Sequence, residues 1–140
     1  MHFAIYAILP NKKLEDFNQK EFEDDFTKKF CDCCGENEPT VECISDWYEI
    51  GGRWCDNLKA SRGIKGNLDW MRALQGQSSD DDGQYSVCEV QDLTATPAEP
   101  YAFVMNDEYA EEGTDKYNQI MNRIRSRSLN GLIVLLDCHN

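Results

Sequence analysis

Two apolar runs, one near each end of the chain, constrain its fold more than any other feature. Residues 2–9 place Phe3, Ile5, Ala7 and Leu9 on one side of an extended segment and Ala4, Tyr6 and Ile8 on the other, so both faces of that strand need cover. Pro10 ends it. After Gly131, residues 132–136 are continuously apolar, again the pattern of a strand buried on both faces. Strands of this kind sit inside a sheet that has material packed on each side.

The covering layers must come from the segments between them. In residues 14–30 the large apolar side chains are Leu14, Phe17, Phe22, Phe26 and Phe30, the last three at i, i+4 and i+8. This spacing predicts one long helix with a single inward stripe. Residues 31–39 read as a loop, and residues 41–50 return to strand-like alternation. Asn67 is placed to cap a short helix containing Leu68, Met71 and Leu74, which Gly76 would end. An acidic loop follows at residues 78–83, then strand candidates at 85–93 and 101–105, separated by Pro97 and Pro100. Thr114 can cap a helix whose inward stripe is Tyr117, Ile120, Met121 and Ile124. The expected architecture is one α+β domain over residues 1–140, with helices packed on a mainly antiparallel sheet and a ferredoxin-like arrangement at its centre.

Charge narrows the choice of partner. The 140 residues hold 26 acidic and 14 basic side chains, a formal net charge of -12, which argues against direct binding to a nucleic-acid backbone. Glu15, Asp16, Glu21, Glu23, Asp24 and Asp25 crowd the first helix, where carboxylates spaced like phosphates would suit a nucleic-acid mimic. Lys20, Lys28 and Lys29 interrupt that surface, so a solvated helix face is the simpler reading. Residues 3–9 are too short for a secretory core and have no basic flank, and no segment approaches a membrane span. Seven cysteines without an export signal fit reduced thiols in a cytoplasm better than a disulfide framework.

Two segments carry the chemistry. Asp46-Trp47-Tyr48-Glu49-Ile50-Gly51-Gly52-Arg53-Trp54 combines flat aromatic surface, a guanidinium and a flexible Gly-Gly pair, so Trp47, Tyr48, Arg53 and Trp54 are the candidate binding residues. The competing role for the tryptophans is as core anchors. Asp137-Cys138-His139 extends the last strand. Alternation directs Asp137 and His139 to one face and Cys138 to the other, favouring an Asp-His pair, or one imidazole ligand to a metal held from elsewhere in the fold, over a Cys-His nucleophile; a frayed terminus with a solvated histidine is the plainer alternative. Cys31 and Cys34 form a Cys-x-x-Cys pair that Cys43 could join at a zinc ion. A second pair is missing, so no cofactor is favoured and these thiols read first as surface or core residues.

The Trp-Tyr-x-Ile-Gly-Gly-Arg-Trp core and the terminal hydrophobic strand running into Asp-Cys-His resemble a family of small uncharacterised proteins from phages and bacterial mobile elements. The chain departs from that pattern at Asn140, where an apolar residue is usual. The resemblance implies a protein that acts in the cytosol of a bacterial host. Together with the acidic composition, it leads to the expectation of an accessory protein that works by binding, blocking or sequestering host defence or other host machinery. The alternative is a small hydrolase or nucleotide-processing enzyme using Asp137 and His139, with Arg53 holding a nucleotide or another small anionic ligand.

Overall fold

The computed structural model describes residues 1–33, 35–66 and 83–140. The helix expected over residues 67–76, the acidic stretch at 78–82 and Cys34 lie outside the described residues. The fold is α+β, with helices on a six-stranded, mostly antiparallel sheet. Its strands are β1 (His2–Pro10), β2 (Trp47–Ile50), β3 (Val87–Glu89), β4 (Ala102–Met105), β5 (Glu108–Glu111) and β6 (Gly131–His139); the helices are α1 (Gln19–Phe30) and α2 (Asp115–Arg125). Among the described residues no helix is long and apolar enough to cross a membrane.

The two end strands pair with each other at the centre of the sheet. β1 runs antiparallel to β6 along its whole length, from His2 opposite His139 to Pro10 opposite Gly131. β4 lies parallel to β1 on the other side, and β5 closes that edge as an antiparallel hairpin partner of β4. The far edge of β6 is shared end to end. β2 pairs with residues 136–139 and β3 with residues 132–134; between them Leu135 accepts from the Gly51 N–H and donates to the Ser86 carbonyl.

Alternation along β1 and β6 divides the core into two layers, as the two-faced apolar runs require. Ile5, Ala7, Val134 and Leu136 pack under α1 with Phe26 and Phe30, while Tyr6, Ile8, Ile133 and Leu135 pack with Tyr117, Ile120, Met121 and Ile124 of α2. Phe22, placed in the same stripe, is only partly buried. Because the helices cover opposite faces and the central order is β6-β1-β4-β5, the centre is not the one-sided ferredoxin-like arrangement. With apolar residues on both faces of β1 and β6, a single helical layer would leave one side of each strand in water.

Several boundaries differ from the sequence reading for local reasons. The long first helix is broken into a 3-10 turn at Leu14–Asp16 and α1, since Asn18 takes a helix-cap conformation and accepts from the Glu21 N–H at 3.0 Å. Residues 41–44 fold back onto the end of α1, where the N–H groups of Val41 and Glu42 reach the Lys29 carbonyl and that of Ile44 reaches Phe30; only Trp47–Ile50 is strand. β3 likewise gives way to a 3-10 turn at Val90–Asp92. β5 was not foreseen. Its signal is Asn106-Asp107, both at positive φ (53° and 61°), the two-residue turn geometry that matches strand twist in a hairpin. On α1, Lys20 pairs with Asp24, and Lys29 with Asp25 and Asp107, so the acidic run is partly neutralised within the fold.

Candidate functional site

Strand register assembles the site. His2 of β1 and Trp47 of β2 both lie opposite His139 of β6, while Ala4 and Glu49 lie opposite Asp137. Cross-strand partners project to the same face, so His2, Trp47 and His139 form a row across three strands with Asp137 one row further in. Cys138 points the other way and is buried in the α1 layer. The chain has two histidines. Both are in this row, although they are separated by nearly the whole sequence.

Each imidazole is held by its own carboxylate. Asp137 Oδ1 lies 2.9 Å from His2 Nδ1, and Asp46 Oδ1 lies 2.9 Å from His139 Nδ1. An ionised carboxylate only accepts, which places the proton on Nδ1 in both rings and leaves Nε2 as the open nitrogen. The expected Asp137–His139 pair is therefore replaced by two crossed pairs, Asp137–His2 and Asp46–His139. The rings also touch: Trp47 stacks on His139 at 5.3 Å and 15°, and His2 meets Trp47 and His139 edge-on at 5.5 and 5.0 Å. Nor is the terminus frayed. Asn140 N–H donates to the Met1 carbonyl, and the Met1 amino group donates to the Asn140 carbonyl.

Asp137 is buried, at 2% exposure, and has three donors around it. Besides His2 it accepts from the Arg53 backbone N–H at 3.1 Å, and the Arg53 Nε stands 3.7 Å from the same Oδ2. This approach depends on the Gly-Gly pair: Gly51 and Gly52 have φ of 85° and 63°, and a Cβ on Gly52 would lie 2.5 Å from Asp137 Cβ. Asp137 thus positions His2 and Arg53 and is too enclosed to act directly on a ligand. Asp46 is different in kind. Its hydrogen bond from His139 holds its carboxyl below the usual range, so acid strong enough to protonate Asp46 removes the stabilisation it gives and releases His139.

The four aromatic and cationic candidates divide between two roles. Trp47, 38% exposed, and Arg53, with about half its side chain in solvent (49%), face the histidine cluster. Tyr48 alternates to the opposite face, where its ring lies edge-on to Phe26 and its hydroxyl meets Thr27 Oγ1 and the Glu23 carbonyl; burial drives its phenol well above the ordinary value. Trp54 turns inward onto the α2-side core, and its indole N–H is buried with no acceptor among the described residues. Both are anchors. His2 and Asp46 escaped the sequence reading, though the antiparallel pairing of two strands each buried on both faces would have placed His2 opposite His139.

Of the candidate zinc thiols, Cys34 lies outside the described residues, and Cys31 and Cys43 differ in exposure. Cys31 is buried and receives contacts from the Cys33 N–H and thiol, whereas Cys43 is exposed and its thiol lies 3.8 Å from Asp32. Among the described residues no group of three or more His, Cys, Asp or Glu side chains is arranged to hold a metal ion. Burial pushes the Cys88 thiol up to about 12 and raises that of Cys138, where Asp137 adds to the effect. A thiolate is the reactive species. Burial and Asp32 also raise the Cys43 thiol, but of the three it alone is exposed, so alkylation of the native protein should modify Cys43 and leave Cys88 and Cys138 unmodified until denaturant is added, as mass spectrometry of the digested protein would show.

No protein-family model, curated protein or solved structure matches the chain.

Proposed function

We propose that the chain acts by binding, with a protein of host machinery as its partner and the surface formed by Trp47, His139, His2 and Arg53 as the contact. The observation that carries this reading is the state of Trp47: it is 38% exposed, unusual for so large an aromatic, yet already stacked on His139, which is itself tied to Asp46. A large aromatic surface fixed before contact loses little conformational freedom on association, and a neighbouring guanidinium supplies directional hydrogen bonds. The likeness of the two site segments to phage and mobile-element proteins supports a setting in a host cytosol and a role in inhibiting or sequestering host defence or other machinery. No cofactor is part of this proposal.

Capture of a partner from host lysate, followed by titration with the identified protein, tests it. Trp47→Ala and Arg53→Ala should each weaken binding by more than about 1 kcal/mol, and Tyr48→Phe, altered on the opposite face, should leave it unchanged. Equal binding by all three variants would sink the assignment of this surface.

The carboxylate-held imidazoles favour one second reading, a small hydrolase or nucleotide-processing enzyme that binds phosphate at Arg53. In that reading the proton-transfer group is His2 or His139, and Asp137 serves to position His2. Either His→Ala change would then cut turnover of a nucleotide or ester by about 10²-fold or more.

A further inference from the structure

We infer that His2 and His139 together hold one divalent transition-metal ion through their Nε2 atoms, with water or a ligand group completing its coordination. The first ground is separation. The two imidazole rings are in contact, with centroids 5.0 Å apart, close enough for one ion to lie about 2.0–2.1 Å from each Nε2 once the rings turn toward it.

The second ground is orientation. Metal-binding imidazoles characteristically donate the other ring N–H to a carboxylate, which fixes the tautomer and makes the coordinating nitrogen more basic. Both rings have that support, from Asp137 and from Asp46, each at 2.9 Å. Neither Nε2 has a hydrogen-bond partner among the described residues, and both side chains reach solvent, at 20% and 33% exposure. The donor set is two neutral nitrogens, which suits zinc, cobalt or nickel and not calcium or magnesium.

Two protein ligands make an exchangeable site, distinct from a four-thiolate structural zinc. An ion there would leave positions open beside Trp47 and Arg53, where it could accept a carboxylate, phosphate or imidazole from whatever docks. Partner capture plays no part in the measurement below, so this inference and the proposed function can fail separately.

Titration of the full chain with zinc chloride by calorimetry, and with cobalt(II) by visible absorption, tests the site. One ion per chain is expected, with ligand-field bands and no thiolate charge-transfer band. His2→Gln and His139→Gln should each weaken zinc binding by at least about tenfold, and Asp46→Asn, which leaves both ligands in place, by about 10- to 100-fold. Circular dichroism confirms that each variant is folded, and Cys43→Ser should bind as the parent does. Absence of binding at millimolar zinc, an intact affinity in the folded histidine variants, or a thiolate band would overturn it.

Discussion

Replacing Phe26 with Ala is expected to lower the free energy of unfolding by about 3 to 5 kcal/mol. Phe26 is 2% exposed, stacked on Phe22, tilted against Phe30 and met edge-on by Tyr48. Truncation removes the transfer free energy of a whole ring. It also opens a void that the strands beneath, pinned by their own hydrogen bonds, cannot fill by collapsing. The midpoint of a urea titration should fall sharply with little change in its slope. Phe22→Ala gives the internal comparison, because Phe22 is only partly buried and should cost less. An unchanged midpoint for Phe26→Ala would mean that the α1 layer is not the core described.

Gly52→Ala is expected to cost about 2 to 5 kcal/mol and to displace Asp137 from its donors. The left-handed backbone at φ 63° costs an L-residue about 1–2 kcal/mol, and forcing a methyl into filled space adds about 1–3 kcal/mol. That methyl meets Asp137 at 2.5 Å. Gly113→Ala separates the two contributions: its φ is 92°, and nothing lies within 4 Å of the added Cβ, so it should show the backbone cost alone. The histidine ring signals in an NMR spectrum should shift in the Gly52 variant and stay in place in the Gly113 variant. Equal losses of stability in the two would remove the argument that Gly52 makes room for Asp137.

The layers of the fold were legible because they follow from alternation and helical period, which act within a few residues. β1 and β6 were visible as strands apolar on both faces, and the Thr114 cap with its Tyr117, Ile120, Met121 and Ile124 stripe stands as the spacing required. Boundaries were harder where short-range competition decides them. Asn18 interrupts a helical pattern by capping, and residues 41–44 exchange strand pairing for the open carbonyls at the end of α1. The site was half visible. Trp47, Arg53, Asp137 and His139 carry obvious chemistry, but who pairs with whom depends on strand register that brings together residues 135 and 93 positions apart along the chain. Nothing local in the sequence indicates that Asp137 turns to His2 and His139 to Asp46.

β6 is the one strand that β1, β2 and β3 all require, and it follows every one of them along the chain. During synthesis those three strands emerge with unpaired edges and no means of satisfying one another. Native order therefore waits for the longest loop closures in the molecule, a topology that folds slowly and leaves β edges open to intermolecular pairing in the interval. Dependence on chaperones at this stage, and a yield that falls as expression outpaces folding, follow from where β6 sits.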